Sequence, residues 1–269
     1  MKNDSINYKF AFVAIIIAYT VAQVFVIYFK PDAERYIPLL QFLFFLIPVI
    51  LLNDNNFKTQ YKINLRFSFS TIPVILWILV GISLIEIGSD IIIRTMLPTY
   101  IVSIYDTTLQ SYSNTINIML LNNSNSVLEF AIISFCFAIT PAVCEEVFFR
   151  GYLMQNIEQK NGIRKAIIFS ALIFALIHFN IIGIIPIFII GLCLGYLFYR
   201  TGSIIPPMIL HFINNFLVIL SVNYYYGDEI TITHIRFGII SLIIGIVIVF
   251  ISFKRLKIKK QYSIMKNEK

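Results

Sequence analysis

Charged residues are scarce in this sequence: 13% of its 269 residues are Asp, Glu, Lys or Arg, while 58% are hydrophobic. Soluble domains carry roughly 25% charged residues, which cover their surface. The mean hydropathy of +0.83 lies far on the apolar side. These values exclude an ordinary soluble domain and predict a protein whose solvent over most of its surface is lipid.

Cysteine is also scarce, and two common redox and metal patterns are absent. The sequence has three cysteines, none in a CxxC pair, and it has no HExxH motif. Cys136, Cys144 and Cys193 all fall within predicted helices, so we expect small packing residues and no disulfide. The absence of HExxH excludes the common zincin type of zinc site.

Long apolar runs are what the sequence has instead. A bilayer core about 30 Å thick takes roughly 20 apolar helical residues. Windows of that length predict an all-α, polytopic membrane protein with about eight transmembrane helices, forming a single integral membrane domain over 1–269. An open sheet is excluded because lipid would leave its edge groups without partners. The predicted spans are 10–29, 36–52, 72–97, 127–149, 166–181, 184–199, 204–225 and 235–253.

Lysine and arginine are absent from the long loop 98–126 and are concentrated in alternate connections and in the C-terminal tail. Because basic residues stay on the cytoplasmic side of a membrane, this asymmetry predicts an N-in/C-in protein of the cell membrane with several passes. The net charge of +7 is then a topology signal and a contact with anionic lipid headgroups, and it does not indicate a nucleic-acid partner.

A few ionisable residues nevertheless fall inside or at the ends of the predicted spans. Each such group costs at least a few kcal/mol by insertion scales, so each calls for a reason. The third span contains three of them at i,i+4 spacing, which predicts a polar pairing stripe on one helix face. The full set is Glu86, Asp90, Arg94, Glu145, Glu146, Arg150, His178 and His211.

Three of these ionisable residues lie close together in the stretch TPAVCEEVFFRGY, residues 140–152. Glu146 and Arg150 are four residues apart, so they are expected to pair on one face of a helix. Glu145 is rotated by about 100° from Glu146 and therefore faces another neighbour. Pro141 lacks a backbone N–H and opens the helix one turn before Glu145. We expect one carboxylate to be structural and the other to be free for chemistry.

Two further short segments carry the remaining candidates: FALIH, which ends at His178, and HFINN, which contains His211 and Asn215. With Glu145, these are residue types that activate a water and stabilise an oxyanion. A glutamate and two histidines are also a usual ligand set of catalytic zinc. Hydrolysis with and without metal is therefore open on the chemistry alone; a metal would be bound by Glu145, His178 and His211.

The three segments EEVFFR, FALIH and HFINN match the EExxxR, FxxxH and HxxxN motifs of the CPBP family, in that family's order. The family groups CAAX prenyl endopeptidases, called Rce1-like, with bacteriocin-processing (Abi) proteins. The chain resembles it over roughly residues 127–220. The resemblance implies an eight-helix intramembrane endopeptidase with a catalytic core in that segment and a cavity that opens toward the cytoplasm.

The resemblance also implies a role for each motif residue. Glu145 and His178 would activate the water, and His211 and Asn215 would form the oxyanion site. It favours a glutamate mechanism without metal over a metalloendopeptidase. The residues that would support this arrangement are Glu146 and Arg150.

The expected substrate is a peptide or protein associated with the membrane. The composition, rich in Ile, Asn and Lys, is typical of an AT-rich bacterial genome. In that setting we expect a bacteriocin or signalling-peptide precursor, or a membrane-anchored protein, rather than a prenylated protein. Two alternatives remain: a proton-coupled carrier, because buried carboxylates and histidines relay protons, and a non-catalytic immunity or chaperone-like partner.

One geometric condition decides whether these residues can meet. His178 follows Lys165 by about 13 residues, or roughly 20 Å of helix, whereas Glu145 lies near the cytoplasmic end of its predicted span. The two can approach only if the fourth helix continues past Arg150. The segment GYLMQNIEQK favours a helix, so we predict that this helix continues to Asn161.

Overall fold

The computed structural model describes residues 14–22, 37–47, 49, 64–103, 106–107, 127–178, 180, 183–221 and 232–256. Within these ranges every regular element is a helix, which confirms the all-α prediction. These ranges cover the predicted spans 10–29 and 36–52 only in part. In the described part, the helices long and apolar enough to cross a membrane are Phe69–Met96, Phe130–Asn161, Ile184–Thr201 and Ile235–Arg255.

The helices follow the predicted spans closely in position but differ from several of them in length. The predicted span 166–181 corresponds to a shorter helix that starts three residues earlier and ends five residues earlier, because a turn follows at 177–178. In chain order the helices are α1 (14–22), α2 (Ile37–Gln41, continuing as a π-helical turn over Phe42–Leu46), α3 (Ile72–Met96), α4 (127–161), α5 (Ile163–Leu176), α6 (Ile184–Thr201), α7 (Ile205–Ser221) and α8 (Ile232–Arg255).

Helix α4 is continuous well past Arg150, which corrects the predicted span end at residue 149 and confirms the predicted extension to Asn161. It ends there because Gly162 takes a φ of +79°, a left-handed value that glycine adopts without strain. The extension gives α4 the length it needs to bring Glu145 into the interior of the helix bundle, where it contacts α7.

The hydrogen-bond ladder of α4 is interrupted on both sides of its two glutamates. The stretches Phe135–Ile139 and Val147–Met154 are π-helical, and the segment between them, Thr140–Glu146, is α-helical with a proline in its first turn. The Thr140 hydroxyl donates to the Phe135 carbonyl, five residues back, at 2.9 Å. Single π-helical turns within α-helices often accompany functional sites, and here they flank Glu145 and Glu146.

Helices α3 and α8 pack against each other through glycines. A Cβ on Gly88 would lie 2.5 Å from the Gly238 carbonyl oxygen, and a Cβ on Gly245 would lie 2.6 Å from that of Gly81. The order of these contacts shows that the two helices run antiparallel. Close backbone approach at small residues is how helices associate in lipid, where burying apolar side chains brings little gain.

A group of aromatic rings links α1 to α2 and α2 to α4. Phe45 is fully buried, with its ring centroid 4.4 Å from that of Tyr19 on α1. On its other side the Phe45 ring stacks on Phe148 at 4.7 Å and meets Phe149 edge-on at 5.9 Å. Such offset and edge-on pairs fix the relative rotation of the helices that carry them. Phe45 thus sets how α2 faces the glutamates of α4.

The start of α7 is held by Asn64, which precedes α3. The Asn64 amide donates to the Gly202 carbonyl at 2.8 Å, and its backbone carbonyl accepts from the Ile204 N–H at 3.0 Å. The Ser203 hydroxyl donates to the same carbonyl at 3.0 Å. The turn between α6 and α7 is therefore tied to the segment before α3, which fixes the position from which α7 carries His211 into the bundle.

Candidate functional site

The two glutamates and the arginine of α4 are all withdrawn from the surface. Glu145 is 3% exposed, and Glu146 and Arg150 are 0% exposed. Charges so deeply buried need partners, because the loss of hydration must be offset by hydrogen bonds and opposite charge. The partners come from α2, α5, α6 and α7, so the site lies where these helices meet α4.

Glu146 and Arg150 form the ion pair that their spacing predicts. Arg150 Nη1 lies 2.5 Å from Glu146 Oε1, and Arg150 Nη2 donates to the Gly191 carbonyl of α6 at 3.1 Å. The guanidinium also lies 4.7 Å from the centre of the Phe174 ring on α5, a favourable cation–π contact. Arg150 therefore joins α4, α5 and α6 around one charge.

His211 approaches both glutamates from α7. Its Nδ1 is 3.0 Å from Glu146 Oε1, and its Nε2 is 3.9 Å from Glu145 Oε2. An ionised carboxylate only accepts hydrogen bonds, so Nδ1 carries a hydrogen and donates it to Glu146. The other ring nitrogen, Nε2, is the one that faces Glu145.

The two oxygens of Glu145 have different surroundings. Oε1 accepts a hydrogen bond from Gln41 Nε2 on α2 at 2.7 Å. Oε2 is buried and has no hydrogen-bond partner among the described residues. The 3.9 Å from this oxygen to His211 Nε2 is too long for a direct hydrogen bond. Glu145 thus has one restrained oxygen and one that is unengaged, and Glu146 Oε2 is likewise buried without a hydrogen-bond partner among the described residues.

His178 lies beyond the end of α5 and is exposed. Its Nδ1 is 2.6 Å from the Phe174 carbonyl oxygen, and its ring centroid is 4.7 Å from that of Phe174. The Phe174 ring in turn lies 5.7 Å from the His211 ring. In the described part of the chain no hydrogen bond or ion pair joins His178 to Glu145. The Phe174 ring thus lies between the two histidines and contacts both of them.

Asn215 lies one helical turn after His211 and is half-buried, whereas its neighbour Asn214 is 5% exposed. The Asn214 side chain is hydrogen-bonded to the Glu86 carboxylate of α3. The HxxxN pattern pointed to Asn215 alone, so sequence reasoning missed Asn214, although both asparagines stand in HFINN. Glu86 belongs to the polar stripe predicted on α3.

The rest of that stripe forms the pair its spacing predicts. Arg94 Nε lies 2.9 Å from Asp90 Oδ2. Arg94 Nη1 lies 2.6 Å from Asp106 Oδ1, in a short helical segment after α3. Each member of the Asp90–Arg94 pair is 16% exposed, so this pair sits nearer to solvent than the pair on α4.

The suggested zinc ligands do not form a metal site in this structure. Among the residues described, no three His, Cys, Asp or Glu side chains are grouped so that they could hold a metal ion. His211 Nδ1 is engaged by Glu146, and His178 Nδ1 by the Phe174 carbonyl. The arrangement of Glu145, His178 and His211 does not fit tetrahedral zinc.

Comparison with protein families gives one match. Residues 127–217 match the family described as type II CAAX prenyl endopeptidase Rce1-like. Neither curated proteins nor solved structures include a match to this chain. The matched segment covers all of α4, α5 and α6, and it includes His211 and Asn215 on α7. The family is one of intramembrane endopeptidases. Residues 127–217 of this chain are therefore similar to the Rce1-like endopeptidases.

Proposed function

We propose that this protein is an intramembrane endopeptidase that hydrolyses a peptide bond of a membrane-associated protein or peptide precursor, with Glu145 as its general base. The observation that carries the proposal is the state of the Glu145 carboxylate within the Rce1-like segment. One oxygen is held at 2.7 Å by Gln41, and the other lies buried 3.9 Å from His211 Nε2. A carboxylate with one unengaged, desolvated oxygen suits proton abstraction.

The proposed reaction begins with a water between Glu145 and the histidines. A polar pair 3.9 Å apart is suited to bridging by one water. Glu145 Oε2 takes a proton from this water as the water oxygen attacks the carbonyl carbon. His178, from the second motif, is proposed to assist: the Phe174 carbonyl accepts the hydrogen on its Nδ1, which leaves a lone pair on its Nε2.

The carbonyl oxygen then becomes an oxyanion, which His211 and Asn215 are proposed to stabilise. A hydrogen on His211 Nε2 can be donated to the oxyanion, while Nδ1 remains on Glu146. The Arg150 guanidinium holds the Glu146 carboxylate in place, so it supports the imidazole indirectly. When the C–N bond breaks, the carboxylic acid of Glu145 returns its proton to the leaving amine.

The topology proposed for this enzyme has eight spans with both termini in the cytoplasm of a cell membrane, and a single domain over 1–269 with its catalytic core at 127–220. The distribution of basic residues supports the orientation, and helical segments within the first two predicted spans support the number. Single cysteines introduced into the loop 98–126 and into the tail 257–269 should react with impermeant reagents from opposite sides. Labelling of both from one side would contradict this topology.

The activity is tested by cleavage of candidate peptides embedded in lipid, with products read by mass spectrometry. Wild-type protein should cut, and Glu145→Gln and His178→Ala should lower the rate by about 10²–10⁴-fold, because each removes a group that moves a proton. Glu158→Gln is the matched control, since it makes the same change on α4 outside the cluster and should cut like wild type. Each protein is assayed with and without a strong chelator, and chelation should change nothing.

Three outcomes would contradict the proposal. If Glu145→Gln cuts like wild type, the buried carboxylate is structural and the general base lies elsewhere. If wild-type protein drives proton-coupled uptake into liposomes and leaves every peptide intact, the same buried carboxylate and histidines serve a carrier. Activity that is abolished by chelation and restored by zinc would replace the proposed glutamate mechanism with a metal-dependent one.

A further inference from the structure

Gln41 is the only described residue that hydrogen-bonds Glu145, and it lies outside the Rce1-like segment. It precedes Glu145 by 104 residues and reaches it from the end of α2, with Nε2 donating to Oε1 at 2.7 Å. Gln41 is 6% exposed, so water does not compete for this bond. No motif of the sequence pointed to it. Its place beside the proposed base comes from the packing of α2 on α4.

A hydrogen bond from an amide to an ionised, buried carboxylate is among the stronger kinds, because the acceptor carries charge and the surroundings do not screen it. It also has a geometric effect, since a carboxylate held at one oxygen cannot rotate freely about its terminal bond. With Oε1 on Gln41, the Glu145 group presents Oε2 toward His211 Nε2. The bond therefore selects which oxygen meets the reacting water.

Gln41 is itself held in place by its neighbour one turn along the helix. Phe45 lies four residues later on the same face of α2 and is inserted between Tyr19 of α1 and Phe148 of α4. Rotation of α2 that withdrew Gln41 from Glu145 would also withdraw the fully buried Phe45 ring. The aromatic contacts of Phe45 thus fix the rotation of α2, and this rotation keeps the Gln41 side chain within hydrogen-bond distance of Glu145.

The amide oxygen of Gln41 indicates that folding stability alone does not explain a glutamine at this position. Its Oε1 is buried and has no hydrogen-bond partner within the described ranges. A buried amide with an unsatisfied acceptor is less favourable for folding than an apolar side chain of the same shape. A polar residue at this position is better explained by its action on Glu145.

We propose that Gln41 is a positioning residue, which acts through Glu145 by holding Oε1 so that Oε2 faces the reacting water and His211. This inference rests on the proposed function. It extends the machinery beyond the Rce1-like segment, to a helix that the family motifs do not include. It predicts that the rate of the chemical step, rather than substrate binding, depends on α2.

The test compares Gln41→Met with Gln155→Met in lipid. Gln155 is a matched control, because it is also 6% exposed and also donates through Nε2, but to the Gly151 carbonyl of its own helix at 2.8 Å. We expect Gln41→Met to lower kcat by about 10–100-fold at nearly unchanged KM, because it frees the orientation of the base. Gln155→Met should leave kcat unchanged. Thermal unfolding is measured for both variants and each kcat is taken per folded molecule, because Gln41→Met also leaves the buried Glu145 carboxylate without its hydrogen-bond donor.

A second variant and a second measurement keep the outcome clear. Gln41→Leu is close in size and removes the donor without adding a charge or a new O–H, so it should lower kcat by as much. The infrared difference between wild type and Glu145→Gln isolates the Glu145 carboxylate band. That band should shift in Gln41→Met and stay in place in Gln155→Met. This readout needs no turnover, so it tests the contact even if wild-type protein cuts no peptide.

The possible results separate the two proposals. An unshifted Glu145 band, or unchanged kcat in both Gln41 variants, would overturn the positioning role while leaving the endopeptidase intact. A loss of kcat matched by an equal loss of folded protein would also overturn it, since packing would then explain the effect. A shifted band together with an active Glu145→Gln variant would keep the contact but refute the proposed function.

Discussion

The α3–α8 contact and the α4–α7 contact each join two helices of the bundle, but they do so by opposite means. Between α3 and α8 the backbones approach because side chains are missing, with Gly81, Gly88, Gly238 and Gly245 at the closest points. Between α4 and α7 the contact is made by charged and polar side chains, with His211 set against two glutamates. The α3–α8 contact depends on the absence of side chains at the glycines, and the α4–α7 contact depends on the presence of His211 and both glutamates.

This difference suggests that the α3–α8 contact serves the packing of the helices, whereas the α4–α7 contact serves the proposed reaction. Lipid offers little hydrophobic gain for helix association, so close backbone packing is an economical way to join two spanning helices. Buried charges are an uneconomical way, because desolvation offsets most of the attraction. Their presence on α4 is therefore better explained by a reaction than by stability. Changes in either contact should reveal which role it has.

The largest effect on stability is expected from Arg150→Met. Removing the guanidinium leaves Glu146 buried without its opposite charge, which should lower the free energy of unfolding by about 3–5 kcal/mol. The double variant Glu146→Gln, Arg150→Met removes the stranded charge and should recover much of the loss. Equilibrium unfolding in mixed micelles measures both. A loss under about 1 kcal/mol for the single variant would show that the pair is solvated.

A somewhat smaller effect is expected from Gly88→Ala in the α3–α8 contact. The added methyl would lie 2.5 Å from the Gly238 backbone oxygen, so the helices must separate, at about 1–3 kcal/mol of unfolding free energy. Gly195→Ala is the control, because its nearest neighbour would be the Ile167 side chain at 3.4 Å, an ordinary contact. Equal stability of the two variants would show that the α3–α8 spacing is adaptable.

The smallest effect is expected from Asp90→Asn. Its pair with Arg94 is partly exposed, and Arg94 retains Asp106 at 2.6 Å, so the loss should stay within about 1 kcal/mol. Unfolding measured at low and high salt tests this, since screening should shrink the difference between variant and wild type. A loss as large as that of Arg150→Met would mean that the polar stripe of α3 is as critical as the site.

Local features of this site followed from the sequence. The Glu146–Arg150 and Asp90–Arg94 pairs were predictable because i,i+4 spacing fixes neighbours within one helix. The continuation of α4 to Asn161 was predictable because Gly162 is the first strong break after the glutamates. The roles of Glu145, His178, His211 and Asn215 remain proposals.

Contacts between helices did not follow from the sequence in the same way. The bond from Gln41 to Glu145 depends on how α2 is rotated and on how far it slides along α4, which apolar periodicity does not specify. The same holds for Asn214, which faces Glu86, and for His178, which is turned toward Phe174 instead of Glu145. The sequence motifs identified the helix that carries each candidate, while packing decides which side chains meet.

One measurement tests the central claim most directly: the peptide cleavage rate per folded molecule of Glu145→Gln, beside wild type and Gly88→Ala in the same bilayer. We expect Glu145→Gln to fold well and to cut at least about 100-fold more slowly than wild type. We expect Gly88→Ala to be less stable but to cut normally once folded. Equal rates for Glu145→Gln and wild type would contradict the account, because the buried carboxylate would then belong to the architecture.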